Sequence, residues 1–133
     1  MPAKTRFLNP DTLTKPPAYS QVVEVTTPGR MVFISGQIGV GRDGKLAPGD
    51  FRAQAVQVFE NLKAALAAVG ARFEHVVKIN NYIIEIEQQA ILREVRLLYI
   101  NKAAPPASTS VRVVGFAREG ALLEVEAIAV LPD

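Results

Sequence analysis

Apolar and polar positions alternate along five stretches of this chain and recur at three- and four-residue steps along two others. The first pattern marks strands and the second marks helices. Tyr19–Thr26 and Met31–Ser35 read as the two strands of a hairpin, joined by the turn Thr27-Pro28-Gly29-Arg30. Asp50 suits the N-cap of a helix over Phe51–Val69, with Gly70 at its C-terminal cap. Ala55, Phe59, Leu62, Leu66 and Val69 give that helix one apolar stripe to lay on a sheet. His75–Ile84 is the third strand. A second helix runs from about Gln88 to Ile100, presents Ile91, Val95 and Leu98 on one face, and is ended by Ala103-Ala104-Pro105-Pro106. Two strands follow, about Ala107–Phe116 and Ala121–Leu131. Residues 1–18 carry Pro2, Pro10, Pro16 and Pro17 without periodicity and read as an extended arm.

The order ββαβαββ predicts an α/β (α+β) fold, a mixed sheet with both helices on one face. Several strands are apolar on both sides, so the other face needs a cover, which the sheets of neighbouring subunits would supply.

With 133 residues the chain is expected to form a single domain, 1–133. A net charge of +2, with Lys and Arg scattered, gives no nucleic-acid footprint. The absence of cysteine excludes disulfides, thiolate nucleophiles and the zinc ligands of a metal-dependent deaminase. No cofactor or metal is expected, and no signal-peptide core or membrane-length apolar run is present, so a cytoplasmic protein is the default.

Candidate chemistry is sparse. In the last strand Leu123, Val125, Ala127 and Ala129 share the side expected under the helices. Glu124 and Glu126 point away, roughly 7 Å apart, as solvated carboxylates or as an acid that positions or deprotonates a water at a subunit cleft. Met31–Val40 runs into Ser35-Gly36-Gln37, a glycine-relieved corner whose Ser35 hydroxyl either bonds back to the main chain or meets a ligand. Tyr19 reads as a half-buried rim residue. His75 stands alone and reads as a surface residue, so neither a metal site nor a Ser-His triad has partners.

The blocks A-Y-S-Q around Tyr19, I-S-G-Q-I from Ile34 to Ile38, Q-V-F-E-N-L-K-A-A-L, V-V-K-I-N-N-Y, P-P-A-S-T-S-V and E-V-E-A-I-A-V together resemble the Rid family (reactive intermediate deaminases, YjgF-like, L-PSP endoribonuclease-like). The resemblance implies a chorismate-mutase-like fold and a homotrimer with small-molecule clefts between subunits. There a 2-imino or enamine acid is hydrolysed to a keto acid and ammonia. It further implies Tyr19 at the cleft rim, Ser35 and Gly36 near the substrate, and Glu124 as the acid that orients water. Deaminating members carry arginine immediately after the Pro-Ala pair, where it clamps the substrate carboxylate; here that position is Ser108. A charge-assisted contact worth about 1.5–3 kcal/mol is not replaced by a hydroxyl. Arg96 or Arg112 is then the candidate for a displaced positive charge, and the substrate range is expected to differ. An aminomuconate-type enamine is one candidate, and a non-catalytic ligand-binding or stress-protective trimer is the rival reading. Ribonuclease activity, also attached to the family, is disfavoured by the missing basic patch and the lone histidine.

Overall fold

Strand β3 (Arg30–Gln37), β4 (Val76–Ile83), β5 (Ala107–Arg112) and β6 (Leu123–Leu131) form a mixed sheet in the order β3-β6-β4-β5, in which the β4–β5 pair alone is parallel. The computed structural model describes residues 4–27 and 29–132. Helix α1 (Phe51–Ala67) connects β3 to β4, and α2 (Gln89–Arg96) connects β4 to β5. Each connection joins parallel strands and steps the same way across the sheet. The right-handed crossover preference therefore puts both helices on one face, as the fold class requires.

Asp50 Oδ1 accepts from the Ala53 amide at 3.0 Å, so the expected N-cap is made. Gly70 at φ 74° lets its own amide reach Ala67 O and the Ala71 amide reach Leu66 O, closing α1 as a Schellman turn. The stripe Ala55, Phe59, Leu62 and Leu66 is buried against Val125, Ala127 and Ala129 of β6 and Ile79 and Ile83 of β4. Gln54 is also fully buried, but its carboxamide is saturated. It donates to Ala47 O (2.8 Å) and Gly120 O (3.1 Å) and accepts from the Leu122 amide (2.9 Å), tying α1 to the loops before α1 and before β6.

Four expectations are corrected. Lys4–Leu8, placed in the extended arm, is a strand (β1) paired antiparallel with β2 (Val22–Thr27). Thr5 and Phe7 are half-buried there between the exposed Lys4 and Arg6, an alternation that the surrounding prolines conceal. Strand β2 pairs with β1 instead of forming the expected hairpin with β3, among the described residues. Pro2 and Pro28 of the arm and the turn lie outside those residues. Helix α2 ends at Arg96, because the Leu98 amide turns back to Val95 O. Leu98 is consequently 77% exposed, and Leu92 takes the buried position beside Val95. Strand β5 stops at Arg112, short of Phe116.

Candidate functional site

The sheet has two faces, and the candidate residues divide between them. On the helix side a cleft of about 210 Å³ opens between α2, the edge strand β5 and the segment before β2, lined by Tyr19, Gln89, Arg93, Arg96, Ser108 and Ser110 among others. Three anchors build it. The Ser20 amide donates to Pro106 O (3.1 Å) and its hydroxyl to Pro105 O (2.6 Å), which holds Tyr19 at the start of β5. Asn81, fully buried in β4, donates through Nδ2 to Ser108 Oγ (3.0 Å) and Thr109 O (3.1 Å), turning Ser108 toward the helices. Gln89 Nε2 donates to Ser110 Oγ at 3.1 Å and ties the first turn of α2 to the strand.

Arg96 fills the back of this cleft and is 2% exposed. Its Nε and Nη1 have no hydrogen-bond partner among the described residues, and neither does Gln89 Oε1. Burial, reinforced by the charge of Arg93, pulls the Arg96 guanidinium below its ordinary range. A buried cation without a counter-charge costs on the order of several kcal/mol. An anion entering the cleft removes that cost. Arg112, the other candidate for a displaced charge, instead donates to Ile84 O at 3.2 Å and does not line the cleft.

Glu124 lies on the opposite, helix-free face. Strand alternation buries Leu123, Val125, Ala127 and Ala129 and leaves Glu124, Glu126 and Ile128 half-buried on the other side. There Glu124 covers Gly36, and a Cβ built on Gly36 would stand 2.7 Å from Glu124 Cδ. Tyr82, directly across the ladder from Glu124, donates to Glu126 Oε1 at 2.5 Å. That bond, then burial and the charges of Glu126 and Glu124, raise the Tyr82 hydroxyl above its ordinary pKa. Ser35 is exposed at the adjoining bulge in β3, and its carbonyl accepts from Gln37 Nε2.

Within one chain, then, Tyr19, Ser108 and Arg96 come together, Gly36 and Glu124 come together, and the sheet separates the two groups. His75 belongs to neither; its Nδ1 accepts from the Arg72 amide (2.9 Å) and closes a turn before β4. Sequence reasoning passed over Gln89, Arg93 and Asn81. The available signal was the spacing of Arg93 and Arg96, three residues apart and so on one helix face. A larger groove of about 490 Å³ beside Phe73 and Tyr99 is mainly apolar, and none of the unpaired buried polar atoms lines it. No group of three or more His, Asp or Glu is placed to hold a metal ion among the described residues, and no helix there is long and apolar enough to cross a membrane.

Comparison with known proteins fits this architecture. The family described as endoribonuclease L-PSP matches residues 12–131. Protein DfrA of Myxococcus xanthus is 42% identical over 113 residues, 84% of either chain. A 2-iminobutanoate/2-iminopropanoate deaminase of Dermatophagoides farinae is 35% identical over 116 residues, 85% of either chain. The crystal structure of YyfB from Yersinia pestis, a Rid protein of unknown function, superposes with a TM-score of 0.84 at 29% identity, covering 96% of this chain and 98% of that one. Blocks read from the sequence, the sheet with helices on one face and these likenesses agree: the chain belongs to the Rid family and has its chorismate-mutase-like fold.

Proposed function

We propose that the protein is a cytoplasmic homotrimer that binds a small carboxylate-bearing imine or enamine between subunits and hydrolyses it, with Arg96 taking over the anchoring role that arginine at position 108 has in deaminating relatives. The observation that carries this reading is the burial of Arg96, with two unpaired guanidinium nitrogens, in a cleft shared with Tyr19 and Ser108. Trimer formation would set this cleft against Ser35, Gly36 and Glu124 on the helix-free face of the next protomer. Glu124 there orients a water whose oxygen adds to the imine carbon while a proton passes to nitrogen. The carbinolamine so formed then loses its C–N bond, releasing ammonia and the keto acid.

Because the anchor sits on α2 and not on β5, the imino acids of alanine and leucine are expected to turn over far more slowly than with an arginine-bearing relative. The test is semicarbazone formation in a coupled amino-acid oxidase assay, where comparable rates would defeat the proposal. Arg96→Gln should weaken binding of a simple carboxylate about 10- to 100-fold, the value of one charge-assisted contact. The second reading, a trimer that binds its ligand without transforming it, is favoured by the position of Glu124 across the sheet from Arg96. Retained ligand binding with no turnover of any imine, in native protein and in Glu124→Gln alike, would select it.

A further inference from the structure

Two arginines, not one, line the cleft. Arg93 and Arg96 stand three residues apart on α2, both line the cavity, and no acidic side chain lines it with them. The acid nearest in sequence, Glu94, is engaged elsewhere, pairing with Arg52 at 2.6 Å. Like charges at this spacing oppose each other on a helix surface. The last-turn position of the pair offsets part of that repulsion through the helix dipole. Dipole attraction leaves the hydrogen-bonding capacity of Arg96 unmet, however, since Nε and Nη1 remain without partners among the described residues. A ligand with a single carboxylate answers one of the two cations. A ligand with two acidic groups answers both: one at the buried end against Arg96, the other at the mouth against the exposed Arg93. Ser108, Ser110 and Gln89 supply the neutral polar contacts between them.

We infer that the cleft is built for a small dianion, so that the substrate class is an imine or enamine bearing a second acidic group. This inference rests on reading the cleft as the ligand site and adds the role of Arg93 as a specificity-determining residue. Calorimetric titration of the native protein with succinate and butanoate, four carbons each, tests it. Succinate should bind about tenfold or more tightly than butanoate, as expected for one added charge-assisted contact. Arg93→Gln, a change at an exposed position, should bring succinate down toward the butanoate value and so collapse the preference between the two ligands. Arg96→Gln should weaken both ligands, and Arg96→Met, which removes the buried charge and keeps the bulk, repeats that measurement if the Gln variant folds poorly. Equal affinities that both depend on Arg96 would overturn the dianion inference and leave the cleft a monocarboxylate site. A succinate preference that survives Arg93→Gln would overturn it as well. Failure of native protein to bind either ligand would overturn this inference and the function proposed for the cleft together.

Discussion

Gly36 is the residue whose replacement separates geometry from charge. A methyl group there would overlap Glu124 Cδ and Cγ, at 2.7 and 2.9 Å, so the carboxylate must swing away. The obstacle is a flexible side chain and Gly36 has no positive φ, so Gly36→Ala should cost less than about 1 kcal/mol of stability. If Glu124 positions water, the same change should nonetheless suppress turnover by about 10²-fold or more, as loss of a positioned acid does. Normal turnover with a displaced Glu124 would remove the acid from the mechanism. Tyr99 gives a second test, in pH. It stacks on Phe59 (5.3 Å between centroids) and donates to Glu60 at 2.7 Å, and burial followed by that bond pushes its pKa up to about 12 from 10.0. The folded protein thus keeps a proton that the unfolded chain loses near pH 10. This stability contribution is complete below pH 10 and declines as pH rises toward 12. Thermal melting between pH 9 and 11.5 should show a smaller alkaline fall in Tyr99→Phe than in native protein. At this scale the sequence was informative about absence: Ser108 at the clamp position is plain in the chain. The meeting of Tyr19 with Ser108 was not, because it depends on Ser20 reaching Pro105 and Pro106, some 85 residues away.

Among the elements, the long periodic ones were legible and the short ones were not. Helix α1 declared itself through Asp50, Gly70 and its apolar stripe, each acting locally. The alternation of β6 likewise told which side its acids would take, because one buried face fixes the phase of a strand. Strand β1 has too short an alternation to stand out among prolines and depends on pairing with β2, and the early end of α2 rests on turn bonds that no local pattern encodes. The same distinction predicts where the fold is vulnerable. Gly39 meets the α1 backbone, and a Cβ added there would stand 2.6 Å from Gln54 Cα. Neither backbone can yield as a side chain does, so Gly39→Ala should destabilise by about 1–3 kcal/mol. Gln54→Leu keeps the bulk but strands the Leu122 amide and two carbonyls, each worth about 1–3 kcal/mol when buried and unmet. Urea titration checks both, and Gln54→Leu melting like native protein would mean that water replaces the carboxamide.

At the scale of the molecule, what the single chain leaves undone is its helix-free face. Met31 is 54% and Phe33 71% exposed on β3, and Val111 is 41% exposed on β5. Ladder registry puts Phe33 beside Ile128 and Val111 beside Tyr82, so these residues share the face that carries Glu124 and Glu126. Apolar side chains spread across a sheet face without a covering layer call for a partner surface. Burying that face among three copies would also bring the acids of one protomer toward the arginine cleft of another, which the sheet forbids within one chain. The proposed function thus couples assembly to chemistry, and one substitution tests that coupling. Phe33→Asp touches neither the cleft nor Glu124, yet a charge cannot be buried cheaply at the centre of such an interface. Light scattering should return about three times the 14.4 kDa of the chain for native protein and a single chain mass for the variant. Circular dichroism should stay close to native, since Phe33 adds nothing to the core beneath the helices. Carboxylate binding at Arg96 should survive in part in the dissociated protein, because its cleft is built within one chain, while imine hydrolysis should be lost, because Glu124 then has no cleft to serve. Monomers that hydrolyse at the native rate would show that the acid acts alone or not at all, and would remove the subunit interface from the mechanism.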